Sequence, residues 1–338
     1  MTILGVETSC DECSVALVED GKHILSQTIA SQVDFHAPYS GVVPEIASRK
    51  HTEWILEVFG RALAEAGKER ADINGIAVTN RPGLSGSLVV GLSFVKALSL
   101  SLDVPFVGVN HVLAHLYAPQ LEYELDYPFL GLLVSGGHTL LAIMHGVADM
   151  EVIGTTVDDA CGEAFDKVAK FLDLGYPGGV VIDRLAATGS QDAFSFPVSR
   201  VHDGPYRYDV SYSGLKTAVA HQSEKFRNPA YPRTQENLAA SFQKAAIDTV
   251  LVQLERAVAD TGINTVVVGG GVAANSYLRA KLGSTDGIEA VFPSMELCTD
   301  NGAMIAGLGY HYLKAERADH LGLGVSPRLK AYRPTPTN

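Results

Sequence analysis

At 338 residues the chain is long enough for two domains, because single cores rarely grow past roughly 250–300 residues. It is 46% hydrophobic and 19% charged with no low-complexity tract, a globular composition. A net charge of −12 opposes a polyanion, which excludes a lone, tight nucleic-acid binder but not one that uses a confined basic patch or a partner.

Cys10, Cys13, Cys161 and Cys298 are too few for a disulfide framework, and the CxxC of Cys10 and Cys13 has no second pair to complete a zinc site. The start MTILGVETSC lacks the basic region and long apolar run of a signal peptide. The most apolar stretch, SLVVGLSFVKALSLSL, is interrupted by Ser and Lys and is expected to fall short of a membrane span. These features predict a cytoplasmic protein.

In chain order, TILGVETS, CSVALVED and HILSQTIAS read as strands, the last two joined by a turn at Asp20-Gly21. PEIASRKHTEWILEVFGRALAEAG reads as a helix with Pro44 near its start and Gly67 at its stop. INGIAVTN is a strand, RPGLSGS a loop, and a helix follows to about Leu102. PFVGVN then leads into NHVLAHLYAP, where a helix would put His111 and His115 on one face, one turn apart.

The second half repeats the plan. FLGLLVSGGHTLLAIMHG reads as strand, turn, strand, and EVIGTTV as a third strand, with helices over most of 158–190 and 213–259. NTVVVGGGVAANSYLRAKL is strand, glycine loop, helix; EAVFP is a strand, and LCTDNGAMIAGLGYHYLK a final helix. RVHDGPYRYDVSYSG, polar and aromatic, reads as an inserted loop. Two such halves imply α/β domains with mixed sheets, placed at 1–110 and 111–310 with a tail at 311–338.

Three loops at corresponding points could cradle phosphate or nucleotide: ETSCDECS, VSGGHT and VGGGVAANSYLR. Gly136-Gly137 would expose backbone N–H groups to an anion, and Gly269-Gly270-Gly271 would let a flat ring lie against backbone. There is no GxxxxGK[ST] and no full GxGxxG after the first strand, so P-loop and Rossmann readings fail. Val112 stands where a zincin has its glutamate base, which argues against a metalloprotease.

The duplicated hairpin-loop plan resembles the actin, sugar-kinase and heat-shock-chaperone (ASKHA) superfamily, whose two domains surround a nucleotide cleft. More specifically, ETSCDECSVAL, GVVPEIASRKH, TNRPGLSGSLVVG, NHVLAHLYAP, LLVSGGHT, DDACGEAFDKVAK, YPGG, GGGVAANSYLR and CTDNGAMIA together resemble the TsaD (Gcp, YgjD) family of tRNA N6-adenosine threonylcarbamoyltransferases. The motifs run in order over nearly the whole chain, with one departure at Ser40, where the family commonly has glycine.

The resemblance implies a transfer of threonylcarbamoyl from threonylcarbamoyl-AMP to N6 of adenosine 37 in tRNAs that read codons starting with A. It implies that Asp300 joins His111 and His115, from the far domain, in holding one divalent metal, Fe(II) or Zn(II). Val134, Ser135, Gly136, Gly137 and His138 would line the phosphate and acyl part of the donor. Asp166 and Asp183 would bind ribose hydroxyls, Gly179 would allow close approach, and Asn275 would reach the nucleotide.

Asp11 or Glu12, with Asp11 favoured of the two, would take the proton of the attacking amine, the equal alternative being exposed loop carboxylates; His138 is an alternative acid-base group. Implied partners are tRNA, a TsaB-type paralogue, a TsaE-type ATPase and a TsaC-type synthase, with no membrane. RVHDGPYRYD with Lys216 is a candidate basic patch, and the apolar face of PEIASRKHTEWILEVF a candidate pairing surface or ordinary core.

Overall fold

The structure is a computed structural model that describes residues 1–199, 204 and 206–328, with backbone only at 221–223. It opens with the strands β1 (Thr2–Glu7), β2 (Glu12–Glu19) and β3 (His23–Ser31) and a short helix α1 (Val33–His36). Asp20 and Gly21 both take positive φ between β2 and β3, the primed turn that the Asp-Gly pair predicts. Next come α2 (Pro44–Ala66), β4 (Gly75–Arg81), α3 (Ser85–Leu102), β5 (Phe106–Asn110) and α4 (His111–Tyr117).

The second set of strands is β6 (Phe129–Val134), β7 (Thr139–Gly146) and β8 (Asp149–Thr155). It is followed by α5 (Cys161–Phe171), α6 (Gly178–Ala186), α7 (Ser213–Gln222), α8 (Gln235–Thr261), β9 (Thr265–Gly269), α9 (Ser276–Gly283) and β10 (Glu289–Val291). The short α10 (Met295–Cys298) and α11 (Gly302–Lys314) close the described helices.

The two sheets have one plan. The first has the order β3-β2-β1-β4-β5 and the second β10-β9-β6-β7-β8, which read from the meander side is the same order. In each, three antiparallel strands continue into two parallel ones. The duplicated α/β architecture expected from the sequence is therefore present, strand for strand.

The two compact units are Met1–Leu125 with Pro293–Asn338, and Asp126–Phe292. These units differ from the expected boundaries at 110 and 310, and residues 311–328 of the expected tail belong to the first unit. The reason is α11, which packs on β1, β2, β4 and β5 of the first sheet and beside α4. Its contact face is made of small residues: a Cβ on Gly5 of β1 would lie 2.0 Å from the carbonyl oxygen of Gly302. Beyond α11, Asp319 accepts from the Gly108 N–H at 2.8 Å and the Leu323 carbonyl from Lys96 Nζ at 2.6 Å.

Helix α2 begins with Pro44 at its first turn and ends on Gly67 at φ 61°, as its sequence signals require. It buries Ala47, His51, Ile55, Val58, Phe59, Ala62 and Leu63, a face at i, i+3, i+4 spacing. Helix α3 is long and apolar enough by composition to cross a bilayer, contrary to the sequence expectation. Its Leu88, Leu92, Val95 and Leu98 are nonetheless buried, and it packs on α2 and β4. Ser40 takes φ 53°, the left-handed region that glycine enters without strain, which gives a physical reason for the family's glycine there.

Candidate functional site

Asn110 ends β5 and caps α4, its Oδ1 accepting from the Val112 and Leu113 N–H groups at 2.9 and 3.4 Å. The helix therefore starts at His111, and His115 follows one turn later; both are buried, with ring centroids 4.6 Å apart. Asp300 sits just before α11, whose start is fixed by Asn301 Oδ1 accepting from Met304 N at 2.9 Å. Its Oδ1 lies 3.0 Å from His115 Nε2 and 3.6 Å from His111 Nε2. All three residues belong to the first unit, so the expectation that Asp300 comes from the far domain is corrected.

The donor atoms of the three side chains lie within 4.8 Å of one another. Two imidazoles and a carboxylate with open positions suit Fe(II), and Zn(II) as well. Nδ1 of His115 is buried without a hydrogen-bond partner among the described residues, so this ring is secured only through its other nitrogen. The residues present fit a metal ion.

Electrostatics divides the two histidines. Burial pushes the His111 imidazole down, but Asp300 and Glu7 outweigh it and raise it to about 9. His115 is held below the usual range by burial, and its hydrogen bond to Asp300 does not compensate, with His111 beside it adding to the depression.

The loop between β1 and β2 carries Asp11, and Glu12 opens β2. Asp11 is buried, which corrects the exposed-loop alternative. Burial first, and then Asp11 and Asp300, push the Glu12 carboxyl well above its ordinary range, which favours its protonated form. The loop is tied at three points: His51 Nε2–H donates to the Cys10 carbonyl at 2.9 Å, Gln32 N to that of Asp11 at 3.0 Å, and Leu84 N to that of Ser9 at 2.8 Å. Cys13 is buried and its thiol is pushed up to about 12, which agrees with an incidental CxxC.

Sequence reasoning missed Glu7, Gln32, His36 and His51. Burial pushes both His36 and His51 down, so each stays neutral where the unfolded chain takes a proton near pH 6.5. Each therefore removes stability as pH falls below about 6.5, at up to about 1.4 kcal/mol per pH unit. We expect His51→Gln to flatten the fall in unfolding free energy between pH 7 and 5. Urea titrations of wild type and variant with parallel pH slopes would contradict this.

In the second unit, Val134 ends β6 and residues 135–138 form the turn into β7, with Ser135 N donating to the His138 carbonyl at 2.8 Å. The Ser135 Oγ accepts from His138 N at 3.0 Å. Gly136 and Gly137 are exposed, and a Cβ on either would meet nothing within 4 Å, so their backbone is open to a ligand. Asp166 on α5 accepts from the Gly178 N–H at 2.7 Å, tying it to the start of α6, while Gly179 faces open space. Asp183 on α6 accepts from Ser276 Oγ at 2.7 Å and from Asn275 Nδ2 at 3.2 Å. Asn275 Oδ1 in turn caps α9 at Leu278 N, 3.0 Å away.

Gly270 is not a ligand platform. It has φ 89°, and a Cβ there would sit 2.5 Å from the Val134 carbonyl oxygen. Gly271, exposed and with nothing within 4 Å of its Cβ position, is the glycine open to a ring. If this loop lies against adenine, Gly271→Val is expected to weaken adenylate binding at least about tenfold, about 1.4 kcal/mol. Unchanged binding by calorimetry would make the loop only a turn.

The candidate basic patch loses weight. Arg207 pairs with Asp260 at 3.3 Å and Lys216 with Asp159 at 2.9 Å, so both charges are matched. Arg200, Val201, His202, Asp203 and Pro205 of that stretch lie outside the described residues. On α2, Leu56 is 69% exposed, an apolar side chain on the outer face of a helix whose inner face is core.

A family model described as TsaD, tRNA N6-adenosine threonylcarbamoyltransferase, matches residues 23–307. The tRNA N6-adenosine threonylcarbamoyltransferase of Treponema denticola is 56% identical over 332 residues, 98% of each chain. That of Borreliella burgdorferi is 53% identical over 334 residues, 98% of this chain and 96% of the relative. Among solved structures, full-length HypF in its phosphate- and nucleotide-bound form has a TM-score of 0.63 at 16% identity, covering 93% of this chain and 46% of that one. Component A of (R)-2-hydroxyglutaryl-CoA dehydratase from Acidaminococcus fermentans has a TM-score of 0.58 at 14% identity, covering 93% and 99%. The two structural likenesses speak for the fold alone. Model and relatives agree over nearly the full length: the chain belongs to the TsaD family of tRNA N6-adenosine threonylcarbamoyltransferases.

Proposed function

We propose that this chain transfers the threonylcarbamoyl group from threonylcarbamoyl-AMP to N6 of adenosine 37 in tRNAs reading codons that start with A. The observation that carries this is the 56% identity over 98% of a relative bearing that name. N6 attacks the carbamoyl carbon, the new C–N bond forms, the bond to the phosphate oxygen breaks, and AMP leaves.

In this reading the turn 134–138 holds the phosphate and acyl part of the donor through open backbone N–H groups. Asp166 and Asp183, fixed at the starts of α6 and α9, accept from the ribose hydroxyls, with Gly179 and Asn275 shaping the approach. Asp11 takes the proton lost by N6, because burial and the neighbouring carboxylates favour the protonated form of Glu12 beside it. His111, His115 and Asp300 would hold Fe(II), or Zn(II) in its place. When bound, that ion supplies Lewis-acid stabilisation of charge on donor oxygens.

The net charge of −12 and the matched Arg207 and Lys216 support dependence on partners for tRNA. A TsaB-type paralogue would pair over the outer face of α2, where Leu56 is exposed, since the apolar face is core, and a TsaC-type synthase and a TsaE-type ATPase would complete the set. The setting is the cytoplasm.

The test is a transfer assay with purified partners, threonine, bicarbonate, ATP and unmodified tRNA at about 0.15 M salt, with product nucleosides identified by mass spectrometry. Threonylcarbamoyladenosine is expected with the partners and little turnover without the paralogue. No modified nucleoside in the complete mixture would refute the reading, and equal turnover by the chain alone would refute the partner dependence.

A further inference from the structure

The strand ends of the duplicated fold differ in one informative place. β1 and β6 are both six residues long and both end where the meander turns, but β6 ends in Val134 and β1 in Glu7. Glu7 is 0% exposed. A buried carboxylate is expensive unless its lone pairs are filled, and a valine serves the same strand position in the other half.

Glu7 is filled by three donors. Its Oε1 accepts from Ser9 N at 2.5 Å, and its Oε2 accepts from Thr79 Oγ1 at 2.5 Å and from His111 Nδ1 at 3.0 Å. A carboxylate in this state only accepts, so Nδ1 of His111 carries the hydrogen. The other nitrogen, Nε2, lies on the side of Asp300, 3.6 Å away, and is the one that a metal ion would take in place of its proton.

We infer that Glu7 is a positioning residue that fixes the tautomer and orientation in which His111 offers Nε2 to the metal. The inference rests on reading His111, His115 and Asp300 as a metal centre, and adds to it the carboxylate behind the first ligand. Outer carboxylates of this kind orient the ring and raise its basicity, and losing one commonly weakens metal binding 10–100-fold. Because Ser9 N shares the same carboxylate, Glu7 also anchors the first turn of the loop that leads to Asp11.

Zn(II) is the probe, with affinity measured by chelator competition on wild type, Glu7→Gln and His111→Ala. Gln keeps the size and an acceptor oxygen but removes the charge. Glu7→Gln is expected to bind Zn(II) about 10–100-fold more weakly, and His111→Ala more weakly still. If His111→Ala weakens binding and Glu7→Gln stays within about threefold of wild type, the inference is overturned while the metal centre stands. If neither changes affinity, the metal centre itself fails. Should Glu7→Gln not fold, long-range 1H–15N spectra of the Zn(II)-loaded wild type decide. A protonated Nδ1 on His111 supports the inference, and a protonated Nε2 overturns it.

Discussion

The double variant His111→Ala/His115→Ala is expected to purify with almost no bound iron or zinc, against about one ion per chain in the wild type. Two of three donors are removed, and Asp300, 18% exposed, is left as a single carboxylate that cannot retain the ion alone. Affinity should fall by more than the roughly 100-fold that bounds the loss of one outer partner. The rings are buried, so circular dichroism and the melting temperature must accompany the metal analysis. His115→Asn, which leaves the His111–Glu7 hydrogen bond in place, is the milder variant if the double one melts early. Full metal occupancy in a folded double variant would place the ion elsewhere.

The second large effect is at Asp11. Replacing a general base commonly slows a reaction 10²–10⁴-fold, about 3–5.5 kcal/mol of barrier. Asp11→Asn is expected to fall in that range under single-turnover conditions with saturating donor. Glu12→Gln should lose much less, about tenfold at most, because a neutral amide resembles the protonated carboxyl that burial, Asp11 and Asp300 favour on Glu12. The pair forms an internal control, since the residues are adjacent and only one is assigned the proton. Equal losses in both variants would dissolve the assignment, and the reverse order would transfer it to Glu12.

What could be read from the sequence was whatever local chemistry dictates. Asp20-Gly21 announces its turn by backbone preference, and Pro44 and Gly67 bracket α2 because each suits one end of a helix. The histidine pair is legible for the same reason, since Asn110 starts a helix that sets His111 and His115 one turn apart.

What could not be read depends on distant approach. The return of residues 293–328 to the first unit rests on small faces, Gly5 against Gly302 and Gly309 against Ala77, which carry no periodic signal. Asp300 therefore looked like a visitor from the other half. Glu7 looked like an ordinary strand end, because only the fold brings Thr79 and His111 to its carboxylate. Gly270 and Gly271 are indistinguishable in GGGVAANS until one is seen against the Val134 carbonyl and the other against open space.

The measurement that bears most directly on transfer supplies threonylcarbamoyl-AMP itself to the chain and its paralogue, with a tRNA transcript containing adenosine 37 and a matched transcript lacking it. AMP release and modified nucleoside are counted in the same reactions. Transfer predicts one AMP released for each threonylcarbamoyladenosine formed, with modification confined to the transcript that has adenosine 37 and lost in Asp11→Asn. AMP release at the same rate with either transcript, and no modified nucleoside, would mean that the chain only hydrolyses the donor.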